Sequence, residues 1–228
     1  MKIYAVMCSR SEEATPTRTN LLTYLEDLGA TTKVIIGASS IFEAYNTAFN
    51  SFNPDPNSIF IFCHDDIEIL LPKKDLVSVF RNAFFNLGKT GFIGPAGTTL
   101  LHKDCVWWNH DIGKQGFHRG MVFHGKDINN CYVTYYGPYD EVVVLDGVFL
   151  AAKTSMLKTL KLNKPESFIS NWDFYDIHMT MQAHLKGYHN RAAPIPILHN
   201  SKGEPREGWQ QNRIAFYNMY KDKLPCSL

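Results

Sequence analysis

A histidine and two aspartates, His64-Asp65-Asp66, follow directly on the run Ser58-Ile59-Phe60-Ile61-Phe62-Cys63, which reads as a fully buried strand. Two carboxylates and an imidazole set this close repel one another or shift their pKa values unless a cation sits among them. Oxygen ligands joined by one imidazole suit Mn2+ or Mg2+ better than zinc. The plainer alternative is an acidic surface turn beside a satisfied histidine. Further along, Asp173 and Asp176 fall in the first turn of an expected helix, where acidic residues complement the helix dipole. Asp176 lies off the apolar stripe of Phe174, Ile177 and Met181, so it is free to act as a general base. His199 ends a short apolar strand and is structural, a third metal ligand or a phosphate contact. Asp146-Gly147 has the form of a plain turn after a Val-rich strand. Asn46 lies at the edge of a helical apolar face, where it can satisfy a backbone group. Trp107 and Trp108 offer flat faces on which a ligand can stack, or are core aromatics.

The elements that must position these residues alternate. Lys2–Met7 is a strand, followed by a helix with Leu21, Leu22, Leu25 and Leu28 on one face and Gly29 at its end. Thr32–Ile36 is the next strand. Ser40 and Glu43 then form a capping box ahead of Phe42, Tyr45, Phe49 and Phe52 at helical spacing. After the acidic cluster Asp75 caps a helix whose inward face is Leu76, Phe80, Ala83, Phe84 and Leu87, and Gly91–Gly94 is a short strand. Such alternation implies right-handed crossovers and a largely parallel sheet. Ligands bind such sheets outside the carboxyl ends of the strands, where His64-Asp65-Asp66 stands. The middle of the chain, 94–137, is rich in Gly, His and aromatics and reads as loops and short strands, a length of irregular chain that is usually functional. A helix over 170–187 with Phe174, Ile177, Met181 and Leu185 inward, a strand at 195–198, and an amphipathic helix over 208–224 complete the chain. The last of these, with Trp209, Ile214, Phe216, Met219 and Tyr220, packs on the core, with a partner or peripheral membrane contact as the alternatives.

With 228 residues the chain suits one domain with a substantial core. A formal charge of +1 excludes a general electrostatic pull onto nucleic acid or an acidic membrane. Five scattered cysteines without a CxxC pair argue against a disulfide framework and suit a reducing, cytoplasmic setting. No apolar run approaches the ~20 residues of a membrane span.

Taken in order, IFCHDDIEI, GFIGPAGTTLLHKDCVWW, VVVLDGVFLAAK, NWDFYDIHMTMQAHLKGYH and ILHNSKG span the chain from about Val34 to Gly203. This succession resembles the inverting GT-A glycosyltransferases of the family-2-like group, in a branch with His-x-Asp in place of Asp-x-Asp. The resemblance implies an α/β, Rossmann-like GT-A fold with a mixed, mostly parallel central sheet flanked by helices. It implies one domain over 1–228, with a nucleotide-binding half at 1–100 and an acceptor-side half at 101–228. It further implies a nucleotide-sugar donor, a glycan, lipid-linked or protein acceptor, and a divalent metal, Mn2+ or Mg2+. Carried over by position, Asp66, His64 and His199 hold the metal and diphosphate, and Asp176 deprotonates the acceptor hydroxyl. Ser9, Arg10, Asn46, Asp65, Asp146 and Gly147 fall on the donor side, and Trp107, Trp108 and Asp173 on the acceptor side. Two departures stand out: CSRSEE replaces the group's common Pro-x-Tyr-Asn after the first strand, and histidine replaces the first aspartate of the metal motif. The alternatives are a sugar-1-phosphate nucleotidyltransferase, for which SRSEEATPTR is a poor signature, a non-catalytic binding module of the same fold, and a simple metal hydrolase.

Overall fold

A computed structural model of the chain describes residues 1–201 and 207–228. The first half runs β1 (Ile3–Ser9), α1 (Pro16–Asp27), β2 (Ala30–Ile36), α2 (Ile41–Phe52), β3 (Ile59–His64), β4 (Ile67–Ile69), α3 (Lys73–Arg81), β5 (Thr90–Gly94), β6 (Ala96–Thr98) and β7 (Leu100–Leu101). The second runs α4 (His110–Lys114), β8 (His118–Gly125), β9 (Cys131–Gly137), β10 (Glu141–Val142), β11 (Val144–Leu145), β12 (Phe149–Lys153), α5 (Thr154–Leu157), α6 (Tyr175–Leu185), β13 (His189–Ala192), β14 (Ile197–His199), α7 (Glu207–Tyr220) and β15 (Cys226–Ser227).

The central sheet has the order β10-β13-β5-β12-β3-β1-β2. It is mixed, as expected; β1–β2, β1–β3 and β5–β13 pair in parallel, while β12 lies antiparallel between β3 and β5. Strands from the two halves of the sequence interleave, so the halves share one sheet. β3 is buried on both faces, which is why it reads as an unbroken apolar run. Phe60 and Phe62 face a core built with α2, α6 and α7, whereas Ile59, Ile61 and Cys63 face a second core under α1 and α3.

The segment expected to be largely irregular holds a hairpin, β8–β9, with a register shift between Gly120 and Met121, in a second sheet ordered β11-β6-β8-β14-β4 with β9 paired to β8. Its strands are rich in glycine and polar residues, which hid their alternation. Four local expectations are also corrected. The N-cap position of α3 is Pro72, with Asp75 inside the first turn, and Leu87 is exposed beyond a wide π-type turn at Asn82–Asn86. Ser40 and Glu43 form no capping box: the Ser40 hydroxyl donates to the Asn171 carbonyl, and Glu43 accepts from Ser39. α6 begins at Tyr175 after a left-handed Phe174, which leaves Asp173 outside the helix, and Leu185 is exposed. α7 does pack on the core through Phe216 and Tyr220, but Ile214 and Met219 face outward. Among the described residues no helix is long and apolar enough to cross a membrane. The tail of the last quoted motif, Lys202 and Gly203, lies outside the described residues.

Candidate active site

β3 delivers His64 to the carboxyl edge of the central sheet, and β4 starts three residues later. β14 pairs antiparallel with β4, setting His199 opposite Ile67 and therefore beside Asp66. The three side chains meet. His199 Nε2 lies 3.4 Å and His64 Nδ1 3.8 Å from Asp66 Oδ1, and the two ring nitrogens are 3.5 Å apart. One ligand atom from each residue falls within 4.8 Å of the others, a spacing a single cation can bridge. Asp66 Oδ1 is buried and makes no well-formed hydrogen bond, which a buried polar atom ordinarily does.

The tautomer of His64 follows from its neighbours. The Tyr175 hydroxyl donates its one proton to the Gly147 carbonyl at 2.9 Å, so toward His64 Nε2, 2.7 Å away, it must accept. Nε2 therefore carries the hydrogen, and Nδ1 turns a lone pair toward Asp66 and His199. Burial, with the adjoining His199, holds the His64 pKa below the usual imidazole value, so the ring stays neutral. A neutral imidazole fixed by a hydrogen bond on its far nitrogen is the form that binds metal. At Asp66 burial works to raise the pKa, but His199 and His64 outweigh it and keep the carboxyl below its ordinary range. At His199 burial works to lower the pKa, and Asp66 and Asp146 reverse this. The donor set of one carboxylate and two imidazoles thus fits a divalent cation in geometry, and a bound cation would displace the proton that Asp66 favours on His199.

The cleft in front of this group, about 440 Å³, is lined by Cys8, Arg10, Ser11, Ile41, Trp172 and Ser201 together with His64, Asp65, Asp66 and His199. The Arg10 guanidinium lies over the Trp172 ring, 4.9 Å from its centre. Asp146, Gly147 and Asp176 stand behind, joined through Tyr175. The Gly147 amide donates to Asp176 Oδ2 at 2.9 Å, and Val148 donates to Asp146 Oδ1 at 2.9 Å. No larger residue fits at 147, where a Cβ would collide with the Tyr175 hydroxyl and come within 2.7 Å of Asp176 Cβ. Burial, reinforced by the Asp146 charge, pushes the Asp176 pKa up to about 7 against the pull of backbone N–H groups. The same Asp146 charge acts on His64, His124 and His199.

Other expected residues lie elsewhere. The Ser9 hydroxyl is buried behind the first loop, donating to the Ser11 carbonyl and accepting from Arg18 at 2.6 Å. Asn46 donates to Asn163 at 2.6 Å and lines a separate cavity of about 420 Å³ between α2 and 157–163. Trp107 is a core residue wedged among Trp108, His118 and Tyr136, and the half-buried Trp108 packs on Trp209. Asp173 accepts from the Ser170 hydroxyl at 2.5 Å and shapes the turn before α6.

Sequence reasoning passed over Tyr175, Trp172, Arg18 and Asn212. Arg18 had a visible signal, since it continues the Leu21–Leu25 stripe of α1 as a cation. Buried there, it donates to Ser9, Ser11 and Glu12 and so ties down the loop that carries Arg10 and Ser11. Asn212 of α7 bonds Ile169, Ser170 and Asp173 backbone groups, fixing the turn that leads to Trp172.

Among solved structures the chain is similar to A197 from STIV, at 13% identity and TM-score 0.46 over 90% of this chain and 97% of that one. It is also similar to a glycosyltransferase involved in glycosylation of the major capsid of PBCV-1, at 8% identity and TM-score 0.42 over 95% and 98% of the two chains. An inositol-1-phosphate CTP transferase from T. maritima matches at 10% identity and TM-score 0.37 over 92% and 95%. No curated protein matches the sequence. A family profile described as "Glycosyltransferase like family" matches residues 5–220, nearly the whole length, and the chain belongs to that family.

Proposed function

We propose that this protein transfers a glycosyl group from a nucleotide-diphosphate sugar to an acceptor hydroxyl, with inversion at the anomeric carbon. One observation carries the reading: the group His64–Asp66–His199 is joined to Asp176 through Tyr175 and Gly147, setting a cation site and a base on the two sides of one relay. The donor diphosphate occupies the cleft beside His64, Asp66 and His199, with Arg10, Asp65, Ser11 and Trp172 around the nucleoside. A divalent ion held by Asp66, His64 and His199 would neutralise charge on the departing diphosphate. Asp176, with a pKa near 7, takes the acceptor's proton as the acceptor oxygen bonds to the anomeric carbon and the carbon–phosphate oxygen bond breaks. The electron pair of that bond leaves with the nucleoside diphosphate. Asp146 keeps Asp176 basic, and Gly147 allows the sugar-side backbone to approach closely.

The test is a thermal-shift panel of nucleoside diphosphates and nucleotide sugars, with and without Mn2+, followed by product analysis with acceptors. A ligand that binds only the folded protein must stabilise it. Stabilisation by one nucleotide, strengthened by Mn2+ and followed by acceptor-stimulated release of nucleoside diphosphate, is expected. Release of pyrophosphate from a nucleoside triphosphate and a sugar phosphate would instead establish a nucleotidyltransferase.

A further inference from the structure

Trp107 is buried in the core and Trp108 packs on Trp209, so the exposed rings near the site are found elsewhere. We propose that Tyr132, backed by His124, is a stacking platform for a sugar ring of the acceptor. This rests on the glycosyltransferase reading and adds to it the acceptor's chemical class, a carbohydrate presenting a pyranose face.

Strand register assembles the platform. Parallel pairing of β14 with β8 sets His124 opposite His199, and antiparallel pairing of β8 with β9 sets Tyr132 opposite His124. The three rings share one sheet face. His124 and His199 lie 6.4 Å apart, and Tyr132 stacks on His124 at 5.1 Å with 26° between planes. A row of rings therefore leads from the candidate cation site outward to a tyrosine that is 65% exposed.

The flank decides which substrate it serves. In the order β8-β14-β4, the strand carrying His199 separates the hairpin from the acidic tip, and neither His124 nor Tyr132 lines the donor cleft. The platform therefore stands on the flank that the donor leaves open. A tyrosine ring pairs an apolar face with a polar edge, which matches a pyranose with its C–H face and hydroxyl rim.

The same strand supplies a control. Tyr135 is 64% exposed, but three residues along an alternating strand it points to the opposite face. Saturation-transfer NMR on the full chain with Mg2+, using a panel of methyl glycosides, reads binding without turnover. Wild type and Tyr132→Phe are expected to bind at least one glycoside alike. Tyr132→Ala should lose roughly tenfold in affinity, and Tyr135→Ala should lose none. Undiminished binding by Tyr132→Ala, an equal loss in Tyr135→Ala, or no glycoside bound by wild type would overturn the platform. Nucleotide-sugar stabilisation is read in parallel: its failure with glycoside binding intact would count against the transferase reading alone, and Tyr132→Ala should leave it unchanged.

Discussion

Replacing Asp176 with asparagine separates the two roles assigned to that carboxyl, because the amide keeps its shape and its acceptor for the Gly147 N–H while losing the charge. In the folded chain the pKa rises from 3.8 to about 7, burial being the main cause and Asp146 the second. The folded state therefore holds a proton that the unfolded state has released between those values. A carboxyl raised in this way makes stability fall as pH climbs from about 4 to about 7, and its full cost is present above that window. At about 1.36 kcal/mol per pKa unit the ceiling on this cost is about 4 kcal/mol. Asp176 is only partly screened from water, so about 1–3 kcal/mol is the working figure. Asparagine mimics the protonated form and escapes the penalty.

The ligand-free Asp176→Asn protein should accordingly melt close to wild type at pH 4 and above it at pH 8. For a chain of this size about 1–3 kcal/mol corresponds to about 2–10 °C. Turnover should fall by about 10²–10⁴-fold, the usual contribution of a general base. Wild-type kcat/KM should rise with pH through about 7, since the base acts only when ionised. Calorimetry across pH 4–8 and initial-rate assays read both effects. Melting curves that run parallel at every pH would refute the buried charge, and retained turnover would refute the base.

Other substitutions address the supporting contacts. Tyr175→Phe removes the acceptor for His64 Nε2–H, so Mn2+ affinity by calorimetric titration should drop about 10–100-fold; unchanged affinity would contradict the tautomer assigned to His64. Gly147→Ala drives a methyl group into Tyr175 and Asp176 and should cost about 1–3 kcal/mol in urea unfolding together with most of the turnover. Asn212→Ala removes a buried side chain that serves two backbone amides and two carbonyls, and about 1–3 kcal/mol of stability should go with it. Arg18→Met preserves the aliphatic packing but frees the loop after β1. Nucleotide affinity should fall about tenfold while Mn2+ binding holds, and an equal loss of both would count against a role confined to the loop.

What could be read from the sequence was what neighbouring residues decide among themselves. An apolar run ending in His64-Asp65-Asp66 announces a buried strand and its charged tip, because both signals lie within a few residues. The choice between a solvated acidic turn and a ligand group was not local: it depended on His199 arriving from more than a hundred residues away. Asn46 and Trp107 show the converse. Helical spacing correctly put Asn46 at the margin of an apolar face, but the segment 157–163 decides what that margin meets. Trp107 lay in a stretch whose hairpin was masked by glycines, so nothing in its neighbourhood distinguished a core ring from an exposed one. Tyr175 was passed over because the aspartate after it drew the chemical interest, although the tyrosine is what links that aspartate to His64.

Register is what turns these separate residues into a site. β14 is three residues long, and Leu198 and His199 both pair on its two sides, His199 with Ile67 of β4 and His124 of β8. Side chains alternate along a strand, so a slip of a single residue would carry His199 to the far face, breaking its contact with Asp66 and the ring row to Tyr132 in one move. Regular pairing on both sides resists that slip, and the Asn200 amide adds a bond to the Asp66 carbonyl at 2.9 Å. The cation group and the proposed acceptor platform thus share one mechanical dependence. Inserting an alanine between Leu198 and His199 should abolish Mn2+ binding and methyl-glycoside binding together, whereas Tyr132→Ala should remove only the second. If the insertion spared either activity, the two surfaces would not be built on the same strand as argued.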